Sequence, residues 1–316
     1  MTVPPTTPKT PATPGRRLRV GVNLCWLVPG AVGGSEVAVI DALRAVATHR
    51  RDIDLVVFGL AGVADAHPDL LEMADVHTMP GSGPLAARRI PNALAKPVRV
   101  AGESTWLPWA AHRARLDVFH DAGGTSPGRI ALPRVLTVHD IQPLELPANF
   151  NPVKAWWLAR AIPDAIARAT RIAVPSDFVR QRLEAVLAVD PERVAVVPWS
   201  STPPRNQMPA SAVDVRHSLG LGDGPVVVQA AITYPHKEHV TTIRAFDRIA
   251  ARHPTAHLVL IGGTGPAEGA VERAMRGATE RIHRVGRLAD AADVAALIGD
   301  AAAVLVPSTC EGFGLP

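Results

Sequence analysis

An ammonium, an imidazole and a carboxylate each stand just after a short apolar run in this chain, where a loop would leave a strand. Lys237 lies in YPHKEH after Val226–Gln229, His139 in TVHDIQPLELP after Arg134–Val138, and Glu311 in PSTCEGFGLP after Val304–Val306. A cation at a strand end suits a nucleotide diphosphate, because it can stabilise the charge that develops on a leaving group. Glu311 precedes Gly312, Phe313, Gly314 and Leu315, so a carboxylate suited to sugar hydroxyls sits beside flexible backbone whose N–H groups suit phosphate. Gly33 and Gly34 precede a helix start and could bring backbone N–H groups close to an anion, although a plain loop uses the same pair. Taken alone, His139 reads more readily as a hydrogen-bonded structural histidine than as a site residue. His236 and His239 flank Lys237 without a carboxylate or cysteine cluster at metal-ligand spacing, so no metal site is expected. The chain has no G-x-x-x-x-G-K-[ST], which excludes a P-loop, and LIGGTGPAEG misses the G-x-G-x-x-G register of a dehydrogenase by one residue.

These loops need a scaffold, and the pattern along the chain supplies an α/β one. Short β-type runs at 18–22, 53–58, 117–120, 134–138, 172–174 and 194–197 alternate with helical periodicity at 35–47 and 176–187. The alternation begins afresh at 226–229, 257–261, 281–285 and 304–306, with helices near 240–251, 268–277 and 291–298. The pattern predicts two Rossmann-like domains, 17–199 and 200–316, behind a Pro/Thr-rich disordered tail at 1–16. Ligands of such sheets bind at the carboxyl ends of the strands, so the two sets of loops are expected to face each other across a cleft.

Composition narrows the function classes. The chain has 316 residues, 47% hydrophobic and 20% charged, which suits a globular core rather than disorder. Two cysteines, Cys25 and Cys310, make no disulfide framework and fit a reducing, cytoplasmic setting. The first residues lack the apolar stretch of a secretory leader and no apolar run approaches the length of a membrane span, so neither is expected. Aromatic residues at 4% and the absence of a nucleic-acid signature argue against that partner. Arg88, Arg89, Lys96, Arg99, Arg113 and Arg115 are interleaved with Trp106 and Trp109, with Glu103 the lone acid among them. Such a stretch suits peripheral contact with a membrane or a lipid phosphate, or else a solvated helical face over core tryptophans. Trp156 and Trp157 pose the same choice.

Taken in order, GGSE, VHDIQPLELP, RIAVPSDFVRQRL, YPHKEH with TTIRAF, LVLIGGTGP, RIHRVGRL and VPSTCEGFGLP resemble the retaining family 4 glycosyltransferases of GT-B fold, over nearly the whole chain after the tail. The resemblance implies transfer of a mannose- or glucose-type hexose from a nucleotide diphosphate sugar to a glycan or lipid-linked acceptor, as in cell-envelope polysaccharide synthesis. It places His139 near the reacting carbon, Lys237 at the departing diphosphate and Glu311 on sugar hydroxyls. Gly33, Gly34, Arg287, Leu288, Gly312, Phe313, Gly314 and Leu315 would bind the donor, with no metal or other cofactor. Two departures stand out. Ile232 occupies a place where many members carry Arg, and the second Glu of the family's E-x7-E would lie three residues beyond Pro316. The chain therefore reads as C-terminally truncated, with a second domain that is incomplete and activity that is reduced or lost. A noncatalytic nucleotide-sugar-binding remnant and a GT-B nucleotide-sugar epimerase are the alternatives, the latter wanting a carboxylate pair that the motifs do not clearly supply.

Overall fold

A computed structural model describes residues 16–30, 33–83, 92–126, 128–199, 211–288 and 290–314. In it β1 (Leu18–Leu24), β2 (Ile53–Gly59), β3 (Asp75–Thr78), β4 (Val118–Asp121), β5 (Arg134–Thr137), β6 (Arg171–Val174) and β7 (Val194–Val196) form a sheet of order β3-β2-β1-β4-β5-β6-β7. A second sheet, of order β10-β9-β8-β11, contains β8 (Val226–Ala230), β9 (His257–Ile261), β10 (Ile282–Gly286) and β11 (Ala303–Val304). β1 pairs parallel with β2 and β4, and β8 parallel with β9 and β11. Parallel neighbours need crossover connections. The helices are α1 (Gly34–His49), α2 (Ala61–Ala66), α3 (Leu70–Met73), α4 (Asn92–Arg113), α5 (Gln142–Glu145), α6 (Pro152–Arg168), α7 (Asp177–Leu187), α8 (Ala212–Ser218), α9 (His239–Ala250), α10 (Glu268–Met275) and α11 (Ala291–Asp300).

Local chemistry accounts for these elements. In β9, Leu258 and Leu260 join Ile243, Phe246 and Val271, whereas Val259 and Ile261 join Val215, Val226 and Leu297, so alternate side chains fill cores on opposite faces. α9 turns His239, Thr242, Ile243, Phe246 and Ala250 inward at helical spacing. Ser176 starts α7 by accepting from Val179 N at 3.3 Å, and Asp290 starts α11 by accepting from Ala292 N at 2.8 Å. Sequence pattern did not mark β3, an edge strand whose DVHT is only half buried. β11 is shorter than the 304–306 run, its pairing ending where Leu305 N bonds Val228 O at 2.8 Å.

The chain divides into two compact units, one of Met1–Ala31, Ala42–Thr137 and Ala165–Ile172, the other of Val32–Asp41, Val138–Asp164 and Ala173–Pro316. The first holds a buried polar group around the carboxyl ends of β1 and β4. Asn23 donates through Nδ2 to Glu103 Oε1 at 2.8 Å and to Asp121 Oδ1 at 3.3 Å. Asp121 pairs with Arg134 at 2.8 Å and accepts from Ser126 Oγ at 2.7 Å. Burial pushes the Asp121 carboxyl up against the opposing effect of Arg134. Glu103 is 5% exposed, and burial raises its pKa from 4.5 to about 7. Sequence reading left it as an acid in a basic helix. The fold makes it a core residue of α4.

Candidate active site

The second unit contains the sequence-predicted His139, Lys237 and Glu311. Beyond β8 the chain makes one tight turn, Pro235–Lys237, and Glu238 at φ 54° leads into α9. The Gln229 side-chain amide donates to the Lys237 carbonyl at 2.7 Å, fixing the backbone that carries the ammonium. Lys237 Nζ ion-pairs with the Glu311 carboxylate, their side chains 19% and 24% exposed. Thr309 N donates to His236 O at 2.9 Å, tying the stretch before Glu311 to the Lys237 turn. His236 stacks on Tyr234 with centroids 5.7 Å apart, and burial followed by the Lys237 charge lowers its pKa from 6.5, so the ring is neutral at pH 7. A neutral imidazole adds no repulsion to the ammonium beside it.

Gly312 brings Glu311 and His139 together. A Cβ at residue 312 would overlap the His139 carbonyl oxygen, so only glycine lets the two backbones meet. Ser176 Oγ donates to Gly312 O at 2.6 Å. The His139 ring lies 5.0 Å from Trp199 at 63°, and Trp199 lies 5.9 Å from Phe313 at 47°. Gly314, at φ 81°, holds a conformation that side chains disfavour. Asp140 accepts from Gln142 N at 3.0 Å, and its carboxyl is raised by burial and by Glu311, against the pull of that bond and of Lys237.

Under the second sheet's loops lies a polar brace. Arg284 binds Glu268 with Nε at 3.0 Å and Nη2 at 3.0 Å, and donates to Gly262 O at 2.7 Å. Gly262, at φ 137°, lies against the Ala231 carbonyl, and Gly265 N donates to Thr233 Oγ1 at 2.7 Å. Arg287 reaches over Gly263, and Leu288 packs on the core of β8 and β9. Gly33, at φ 68°, is exposed, and Gly34 opens α1; neither takes part in the contacts that join His139, Lys237 and Glu311. Leu315 lies outside the described residues.

The profile of Glycosyltransferase Family 4 matches residues 32–199, and that of Glycosyl transferases group 1 matches residues 224–316. The chain belongs to glycosyltransferase family 4. The fold of this glycosyltransferase is GT-B, as in the solved structures it resembles. Anabaena Alr3699/HepE, solved in complex with UDP and glucose, is 19% identical, with 94% of this chain and 76% of that chain covered at a TM-score of 0.63. WaaG, a glycosyltransferase involved in lipopolysaccharide biosynthesis, is 16% identical, with 93% and 76% covered at a TM-score of 0.64. A proposed UDP-N-acetylglucosamine 2-epimerase from Listeria monocytogenes is 13% identical, with 91% and 73% covered at a TM-score of 0.58. No curated protein matches the sequence.

Three residues that gather around His139 and Gly312 were given no role by the sequence. Asp140 was visible beside His139 but showed no role until its burial next to Glu311 emerged. Ser176 stood only as the first residue of the 176–187 helical run, and Trp199 fell at the boundary between the two expected domains. Among the described residues no helix is long and apolar enough to cross a membrane, and no three His, Cys, Asp or Glu cluster as a metal site.

Proposed function

We propose that this glycosyltransferase moves a hexose, mannose- or glucose-type, from a nucleotide diphosphate sugar to a glycan or lipid-linked acceptor with retention at the anomeric carbon. The observation that carries the reading is the Lys237–Glu311 ion pair, on a loop whose Gly312 rests on the His139 backbone. The bond from the anomeric carbon to the diphosphate oxygen breaks, and its electron pair leaves with the nucleotide. Lys237 stabilises that charge. The acceptor hydroxyl forms the new bond on the face the diphosphate leaves and gives its proton to the departing phosphate oxygen. Glu311 holds sugar hydroxyls, His139 lies beside the reacting carbon, and the backbone N–H groups from Gly312 to Gly314 meet phosphate oxygens. Lys237 takes the part of a divalent cation, so the reaction runs without metal.

The setting we propose is the cytoplasmic face of a membrane, in synthesis of a cell-envelope polysaccharide. Arg113 stands over Trp109 at 5.1 Å and Arg160 over Trp156 at 4.2 Å, both tryptophans more than half exposed. An apolar ring under a guanidinium suits the boundary between lipid and water, which supports peripheral contact.

The test is calorimetry with UDP, GDP, ADP and their hexose conjugates, followed by transfer to lipid-linked and free glycan acceptors. The likeness to HepE, also solved in complex with UDP-glucose, makes that sugar nucleotide the first donor to try. Binding of one nucleotide family, a product retaining the donor's anomeric configuration, and activity undiminished by EDTA are the expected results. Binding of a conjugate without transfer to any acceptor would overturn the reading and leave the noncatalytic nucleotide-sugar-binding remnant, and no binding of any conjugate would overturn both. An epimerase is favoured by one observation, the raised Asp140 carboxyl beside Glu311, a pair suited to proton transfer at a sugar carbon. It would convert the donor with no acceptor present and exchange a carbon-bound hydrogen with solvent deuterium.

A further inference from the structure

Two helices on one face of the second sheet carry a group of arginines without acidic partners. α9 supplies Ile243 and Phe246, and α10 supplies Val271, to the core over Leu258 and Leu260 of β9, so the outward sides of both helices belong to one surface. At about 100° per residue, Arg244 and Arg248 stand opposite the buried His239, Ile243, Phe246 and Ala250, and Arg273 and Arg276 stand opposite the buried Val271. Arg252 follows one turn beyond Arg248, and all five arginines are exposed. None of their guanidiniums has an ion pair among the described residues, whereas Arg180, Arg182, Arg216 and Arg284 of the same unit each bind a carboxylate. Of the acids on these helices, Glu268 is taken by Arg284 and Asp247 accepts from Thr279 N at 2.9 Å, which leaves Glu272.

The helices themselves gain nothing from this arrangement. Like charges four residues apart, as at Arg244 and Arg248, oppose helix formation. The carbonyls at the end of α9 are already satisfied by Arg281, which donates to Ala250 O at 2.7 Å and to His253 O at 2.6 Å. The guanidiniums are spread over two helices rather than aimed at one point, which suits an extended anionic surface more than a single small anion. Ile249, 49% exposed, sets an apolar side chain among them, and arginine stems can lie along lipid while their heads stay in the headgroup layer. We propose that the outward face of α9 and α10 binds the anionic phospholipid headgroups of a membrane, an inference that rests on the membrane setting proposed above and gives the second unit a contact of its own.

The test is sedimentation of the full chain with vesicles of phosphatidylcholine alone and with about one third phosphatidylglycerol, at about 0.05 and about 0.15 M salt. The wild type is expected to prefer the anionic vesicles and to bind them more weakly at the higher salt. Each basic residue near such a surface is worth about fivefold in binding, so the triple variant Arg244→Gln, Arg248→Gln, Arg252→Gln is expected to lose at least about 30-fold with an unchanged melting curve. Arg17→Gln, Arg51→Gln, Arg171→Gln removes the same formal charge from exposed positions of the first unit and is expected to hold binding within about threefold. If the wild type binds no vesicle of either composition, the membrane setting fails and the proposal falls with it. If it binds vesicles but shows no preference for phosphatidylglycerol, or the α9 variant binds as well as wild type, or the first-unit variant loses as much, the proposal alone is overturned. Tighter binding to a random-sequence DNA duplex than to the anionic vesicles at about 0.15 M salt would assign the face to nucleic acid and overturn it as well.

Discussion

Replacing Glu103 by Gln is expected to stabilise the protein above pH 7, although it changes a single atom in the core of α4. The carboxyl has a pKa of 4.5 in an open chain and about 7 in the fold, raised first by burial and then by the Asp121 charge, against the Asn23 bond and Arg99. The folded state therefore keeps a proton that the unfolded state has already released. Stability contributed by this group is greatest below pH 4.5 and falls as pH rises to about 7. At about 1.36 kcal/mol per tenfold in proton affinity, the loss is about 3 kcal/mol by pH 8. Gln presents the same oxygen to Asn23 Nδ2 but never ionises. Thermal melts of both proteins across pH 4.5–8 should coincide at the acid end, apart from a constant offset. At pH 8 they should separate by roughly 6–12 °C, taking about 2–4 °C per kcal/mol for a domain of 150–250 residues. A gap that does not change with pH, or one under about 1 kcal/mol at pH 8, would refute the assignment of a buried, proton-holding carboxyl.

Lys237→Ala should lower kcat about 100- to 1000-fold, the usual cost of removing a group that stabilises developing charge, while Lys237→Arg keeps part of the rate. Steady-state kinetics with the donor found by calorimetry check both. Gly312→Ala drives a Cβ into the His139 carbonyl and should cost at least about tenfold in kcat/KM and roughly 1–3 kcal/mol of stability. Gly277→Ala, with open space at that position, is the matched control and should be silent in kinetics and melting. Arg134→Met leaves Asp121 buried without its counter-charge and should destabilise by roughly 3–5 kcal/mol in urea unfolding at pH 7. The deficit should shrink as acid neutralises the carboxylate.

Much of the scaffold was legible because its signals are local. The apolar runs 53–58 and 257–261 have the length and β-branched content of strands covered on both faces, and Ser176 precedes the apolar spacing of α7. β3 was not legible, since four half-exposed residues at a sheet edge carry no periodic pattern. Glu103 was legible as an acid but not as a buried one, because its bonding partner Asn23, which also holds Asp121 near it, comes from a strand distant in sequence.

By itself the sequence determined that the chain alternates strand and helix, that Lys237, His139 and Glu311 follow strands, and that its ordered motifs are those of family 4. Those properties depend on residues adjacent or a few positions apart, where torsional preference and hydrophobic period act directly. Only the tertiary structure decided that Glu311 pairs with Lys237, that Gly312 rests on His139, and that Trp199 lies between His139 and Phe313. Each of these joins segments far apart in the chain, so it follows from strand order and close packing rather than from any local pattern of residues.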